Sequence, residues 1–273
     1  MLAPIHEPAM PDALDRLIEH HGPDLVCAAL TPLLQADRIA RIDEVLAARV
    51  ASVTAVVEDL YDPHNAAAAI RSVEAMGLQD FHAIEPNQRF SPAGGITLGC
   101  HRWIDLHRWP TVTACASALR DQGFAIYATL PGAPFDLETV DVTRPVALMF
   151  GNERVGLTAE AVAACDGAVS IAMHGFTQSF NLSVSVALAL SRITTRRRAA
   201  LGAGGDLPPA RRAHLRARWF GLKIRGAVGV VERYVSALTQ AGVAPDPRPS
   251  ENTGVSPGSS TATPTVQGSR ART

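Results

Sequence analysis

Three short segments of this 273-residue chain carry side chains whose types and spacing suit a shared site. The first is Asp62-Pro63-His64-Asn65, running on to Arg71. The second is Phe150-Gly151-Asn152-Glu153-Arg154-Val155-Gly156, and the third is Gln178-Ser179-Phe180-Asn181. Arg71 lies six residues beyond Asn65, about 600° of helix and less than two turns, so both can reach one ligand. Residues 66–69 are all alanine and leave no bulk in the way. Gly151 lets a backbone approach closely and Gly156 allows a tight turn. Glu153 between them can orient Arg71 or Asn65, or take a hydroxyl from a substrate. Around the third segment, a polar glycine loop exposes amides and carbonyls, which suits an adenine base that needs donors and acceptors. Taken alone, each segment also has a plainer reading: a capped helix with a surface arginine, a loop with two turn glycines, or a cap formed by Ser179 and Asn181. The second segment lacks the Gly-Lys-Ser/Thr ending of a phosphate-binding loop and is not the dinucleotide fingerprint.

Each segment follows a short apolar run and begins a helical pattern, the position of the carboxyl end of a strand in an α/β protein. Residues 37–49 predict a helix, with Ile39, Ile42, Val45 and Leu46 at helical spacing and Arg38, Arg41 and Arg49 between them. Strands are expected over 53–60, 81–84, 125–130, 145–150 and 169–173. Helices are expected over 66–76 (capped by Asn65 and stopped at Gly77), 112–122, 158–165 (capped by Thr158) and 182–200. Residues 86–102 read as a loop. This alternation predicts a mostly parallel sheet with helices on both faces. The chain divides into a helical N-terminal extension (1–50), the α/β domain (51–200), a basic helical extension (201–243) and a Pro/Ser/Thr/Gly tail (244–273) expected to be disordered.

The formal net charge is only -1, but it is unevenly spread. Residues 192–225 hold ten basic residues against one acid, Asp206, so this stretch carries about +9 and the rest of the chain -10. A basic block of that size is either a footprint for a polyanion or a solvated arginine-rich face. The four scattered cysteines form no C-x-x-C pair, which argues against a metal centre or a disulfide framework and fits a reducing cytoplasm. The first 22 residues lack the apolar core of a signal peptide, and no stretch suits a membrane span.

The three segments, in this order, resemble motifs one, two and three of the SpoU branch of the SPOUT RNA 2′-O-ribose methyltransferases. Pro63-His64-Asn65 to Arg71, with Ala75-Met76-Gly77, is similar to motif one. Leu148-Met149-Phe150-Gly151-Asn152-Glu153 to Gly156 is similar to motif two. Ile171-Ala172-Met173 to Ser179-Phe180-Asn181-Leu182-Ser183-Val184 is similar to motif three. The likeness runs from about Arg38 to about Arg198, and more loosely to residue 235, and is strongest to the TrmH type, the tRNA guanosine methylases. It implies an α/β sheet whose C-terminal part forms a trefoil knot, an exception to the usual unknotted topology. It also implies a homodimer with the site at its interface and S-adenosylmethionine as methyl donor, with no metal. By position, Thr129, Gly151, Ile171 and Phe180 match the cofactor contacts, although most relatives carry Leu where this chain has Phe180.

The implied reaction is attack of a ribose 2′-oxygen on the sulfonium methyl, so the enzyme must align the groups and dispose of a weakly acidic proton. Arg71 matches the arginine assigned to the 2′-hydroxyl. A guanidinium is an awkward base, with a pKa above about 12, so holding a phosphate and the hydroxyl is its alternative role. Asn65, Glu153, Ser179 and Asn181 are expected to hold Arg71, the cofactor or the nucleotide. The expected substrate is tRNA, at guanosine 18 of the D-loop, docked by Arg38, Arg41, Arg196, Arg197 and Arg198. The competing readings are a ribosomal RNA 2′-O-methylase and an RNA-binding protein without catalysis.

Overall fold

The computed structural model describes residues 12–60, 62–85, 99–152 and 154–242. The expected tail, and most of the expected 86–102 loop, lie outside them. The chain opens with helices α1 (Ala13–His21), α2 (Pro23–Leu30) and α3 (Ala36–Ala47). The α/β alternation follows: β1 (Val53–Glu58), α4 (Pro63–Ala75), β2 (Asp80–Ile84), β3 (Asp105–Trp109), α5 (Val112–Asp121), β4 (Ala125–Thr129), β5 (Phe135–Asp136), β6 (Val146–Phe150), α6 (Ala159–Ala163), β7 (Gly167–Ser170) and α7 (Leu182–Leu201). Two more helices, α8 (Pro209–Gly221) and α9 (Ala227–Gln240), close the described chain.

The strands form one parallel sheet in the order β3-β2-β1-β6-β4-β7-β5. Its centre is fully covered: every residue of β1 and β6 is buried, as continuous apolar runs require in a parallel sheet. On one face α4 and α7 pack Ile70, Val73, Val186 and Leu190 against Val57, Leu148 and Phe150. On the other, α5 and α6 bring Cys115, Leu119 and Ala161 onto Val56, Ile126 and Met149. A separate core joins the chain ends, with Ile18, Leu30, Leu46, Trp219 and Phe220 uniting α1–α3 with α8 and α9. Among the described residues, no helix is long and apolar enough to cross a membrane.

Three local expectations change. Helix α4 is capped by Asp62, whose carboxylate accepts from His64 N at 2.8 Å, with Pro63 as the first helical residue. Asn65 is therefore in the first turn, its side chain released for other work. The strand expected over 169–173 is β7 at Gly167–Ser170, so Ile171 and Met173 enter the following loop. Strand β3 lies where no strand was expected.

The basic block finds its acids inside the fold. From α8, Arg211 reaches Asp80 (2.5 and 2.9 Å) and Asp105 (2.7 Å), Arg216 reaches Asp43 (2.6 Å), and Arg218 reaches Asp105 (3.0 Å). Burial opposes ionisation of the Asp80 carboxyl, but hydrogen bonds from His107 and Arg211 outweigh it and hold the group well below the usual carboxylate range. The charge separation visible along the sequence thus closes on itself and fastens α8 to the edge of the sheet.

Candidate active site

At the carboxyl ends of β4 and β6 the structure opens into a cavity of about 670 Å³. All four residues expected to touch the cofactor line it: Thr129 at the end of β4, Gly151 just past β6, Ile171 just past β7, and Phe180 before α7. Ser179 and Asn181 line it too. The Thr129 hydroxyl, on a residue of the cavity wall, is buried without a partner among the described residues, an unmet hydrogen-bonding capacity.

Asn181 does two jobs. Its carbonyl oxygen caps α7, accepting from Ser183 N (2.9 Å) and Ser183 Oγ (2.7 Å). Its amide nitrogen donates to Asn65 Oδ1 at 3.0 Å, joining the first segment to the third. The cap that competes with function when the sequence is read alone coexists with it here.

Gly151 serves the second segment itself. A Cβ there would fall 2.0 Å from Gly156 C and 2.1 Å from Leu157 N, so what it admits is the returning loop backbone. Gly156, with φ of +73°, makes the turn. Asn152 closes the loop: its Oδ1 accepts from Arg154 N (2.9 Å) and Val155 N (2.8 Å), and its carbonyl accepts from Gly156 N. Nothing in the spacing of the second segment marks Asn152 for this role. Glu153 lies outside the described residues.

Arg71 projects from α4, exposed, with no hydrogen bond or ion pair among the described residues. It does not line the cavity within one chain. Next to the cavity the surface is apolar: Phe176, Phe180, Val184 and Leu188 are exposed, the last three on the loop and outer face that begin α7.

The expected RNA contacts on α7 need correction. Arg197 is buried, donating to Ser52 Oγ (2.8 Å) and Val142 O (2.9 Å) and facing Asp206 at 3.9 Å. Arg196 is committed to the carbonyls of Leu137 (2.6 Å) and Val140 (2.8 Å). Arg198 holds the carbonyls of Gly204, Ala48 and Met76 at 2.8–3.0 Å. These three bind the fold together, the buried Arg197 and the half-buried Arg196 and Arg198 each spending donors on internal acceptors. Near the N-terminus, Arg41 pairs with Glu44 at 2.6 Å, whereas the Arg38 guanidinium is exposed and unpaired among the described residues.

With this geometry in view, the likeness to known proteins is decisive on one point. The model of the SpoU rRNA Methylase family matches residues 52–191, half of the chain. The chain belongs to this family. It is 36% identical to the tRNA (guanosine(18)-2′-O)-methyltransferase of Borreliella burgdorferi over 170 residues, 62% of this chain and 78% of that one. To the enzyme of the same name from Thermus thermophilus it is 37% identical over 151 residues, 55% of this chain and 78% of that one. The crystal structure of the Aquifex aeolicus TrmH/SpoU tRNA modifying enzyme superimposes with a TM-score of 0.56 at 23% identity, over 76% of this chain and 98% of that one. That superposition shows the fold, including its family-typical α/β sheet.

Proposed function

We propose that this member of the SpoU family transfers the methyl group of S-adenosylmethionine to a ribose 2′-oxygen of tRNA, at guanosine 18 in the D-loop. The carrying observation is the convergence of the second and third motifs on one cavity, with Asn65 of the first motif tied to Asn181. Identity of 36–37% to two enzymes named for that reaction, across 78% of each, favours tRNA over ribosomal RNA.

The cavity fits the proposed donor. Thr129 offers a hydroxyl that has no partner among the described residues, the Gly151 and Ile171 segments offer backbone, and Phe180 offers an apolar surface for a base. S-adenosylmethionine supplies a methyl group already activated on a sulfonium. The protein's part is then alignment and proton removal. Arg71 holds the 2′-hydroxyl and a neighbouring phosphate, and the proton leaves to that phosphate or to water, since a guanidinium is too weak an acid to serve as a base here. Asn65 and Asn181 fix the helix start that presents Arg71. Ser179 and Glu153 complete the nucleotide side of the site.

The reading includes a homodimer with a shared site, supported by the apolar surface beside the cavity and by the absence of Arg71 from the lining of one chain's cavity. It includes a trefoil-knotted C-terminal part, supported by a strand order in which β6 enters between β1 and β4 and β7 lies beyond β4. The methyltransferase domain is residues 51–200, the terminal segments are extensions, and the enzyme works in the cytoplasm with its tRNA.

Thr129→Val keeps the shape and removes the orphaned hydroxyl. Its Kd for S-adenosylmethionine is expected to rise about 3–10-fold, the worth of one hydrogen bond. Its melting temperature should hold or rise, because a buried unsatisfied hydroxyl costs stability. Calorimetry and a thermal melt check this, and unchanged affinity would remove Thr129 from the site.

Docking of tRNA is reassigned to Arg38, Arg102 and Lys223. All three are exposed, and none has an acidic partner among the described residues. Lys223 Nζ sits 4.5 Å from the Trp103 ring. Its pKa is lowered by burial and then by repulsion from Arg38 and Arg102, so the cations form one cluster. The 3-10 turn Cys100–Trp103 that carries Arg102 packs against α4, the helix of Arg71. Replacing the three by alanine is expected to weaken tRNA binding and flatten the log–log salt slope by about 2–3, at roughly 0.7–0.9 for each phosphate no longer neutralised. An unchanged slope in filter binding would place the tRNA elsewhere. The reaction itself is tested by following labelled methyl groups from S-adenosylmethionine into unmodified tRNA, with ribosomal RNA as the alternative acceptor.

A further inference from the structure

Strand β1 ends at Glu58 and Asp59 follows it directly, and no role in the chemistry above falls to either acid. Successive side chains of a strand point to opposite faces, so adjacent carboxylates should serve different sides of the sheet. Here they serve the same segment. Glu58 is buried and accepts from both the backbone N (2.9 Å) and the hydroxyl (2.7 Å) of Thr158. Asp59 accepts from Asn152 Nδ2 at 3.1 Å. What redirects the second carboxylate is the backbone of Asp59, which has φ of +53° and is the only residue other than glycine with positive φ among those described. That left-handed conformation costs energy for a side-chain-bearing residue and persists only where its surroundings demand it.

The orientation of Asn152 is fixed as well. Its Oδ1 is occupied by two backbone amides of its own loop, so its Nδ2 must face outward and needs an acceptor. Asp59 is that acceptor. The segment that leaves β6 at Gly151 and enters α6 at Thr158 is therefore pinned at both ends from one strand. Gly151, Asn152, Gly156 and Leu157 of this segment form one wall of the cavity.

We infer that Asp59 is a positioning residue: its left-handed backbone places a carboxylate under Asn152 and so holds the second motif in the shape that binds the methyl donor. This rests on the reading of the cavity as the S-adenosylmethionine site. Two substitutions separate backbone from carboxylate. Asp59→Gly accepts positive φ without strain but has no acceptor, and Asp59→Asn tolerates the same backbone and keeps an oxygen for Asn152.

The experiment has two readouts on the full chain. One, independent of any cofactor, is the rate of trypsin cleavage after the exposed Arg154 in the pinned loop. The other is KM and kcat for S-adenosylmethionine in methyl transfer. Asp59→Gly is expected to be cut about tenfold faster and to show KM raised about tenfold, with a melting temperature no lower than that of the native chain. Asp59→Asn should return both readouts to within about threefold of native. An unchanged cleavage rate in Asp59→Gly would overturn the pin, and faster cleavage with native KM would overturn its connection to the site. If the native chain itself fails to bind S-adenosylmethionine, the cofactor reading falls, while the cleavage rates still decide whether Asp59 holds the loop.

Discussion

Arg71→Ala should lower methyl transfer by about 10²–10³-fold, the size of effect seen when one preorganised charge-stabilising donor is removed from an active site. Stability should stay within about 0.5 kcal/mol, as for other surface substitutions without partners. Both halves follow from placement. Arg71 is exposed on α4 and spends no donor on the fold among the described residues, although 24 of the chain's 25 basic residues are arginine and many others are consumed internally. Cofactor affinity should be nearly unchanged, because Arg71 is not part of the cavity lining. Single-turnover transfer, calorimetry and a thermal melt together check this. A variant that keeps most of its activity would remove Arg71 from the centre of the mechanism.

Arg197→Ala should do the reverse. Its guanidinium ties α7 to Ser52 at the start of β1 and to the Val142 carbonyl, facing Asp206, which also accepts from Ala51 N at 2.6 Å. Removing the buried guanidinium leaves the Val142 carbonyl without its side-chain donor and takes a charge partner from the half-buried Asp206, which keeps its bonds from Ala51 N and Ser52, so the cost is about 1–3 kcal/mol. Denaturant unfolding should show that loss, and tRNA affinity per folded molecule should remain near native. Stability within about 0.5 kcal/mol of native, together with lost tRNA binding, would restore Arg197 to the RNA surface.

The contrast between these arginines shows what is legible in the sequence. Thr129, Gly151, Ile171, Ser179, Phe180 and Asn181, singled out by spacing, line one cavity, and Asn65 is bonded to Asn181, because strand ends and helix starts are local features. The buried strands β1, β4 and β6 are equally plain as apolar runs. Strand β3, Asp-Leu-His-Arg-Trp, is not: it lies at the sheet edge, most of it half-buried, and shows neither continuous apolarity nor clean alternation. Asn65 loses the cap position because Asp62 before Pro63 offers a better one. The basic block misleads for a physical reason. A count of charges along the chain cannot show that Arg216 will meet Asp43, 173 residues away, or that Arg211 will meet Asp80, 131 residues away. The Asp59 pin is likewise hidden, since alternation along β1 sends its carboxylate to the wrong face.

The central claim is that this chain methylates a ribose 2′-oxygen of tRNA. Unmodified tRNA carrying guanosine at position 18 would be incubated with the purified protein and S-adenosylmethionine, digested to nucleosides and analysed by mass spectrometry. One new nucleoside is expected, 2′-O-methylguanosine, formed about 10²–10³-fold more slowly by the Arg71→Ala protein and absent when position 18 is not guanosine. A methyl group on a base, or no modified nucleoside under conditions where the protein binds both cofactor and tRNA, would contradict it.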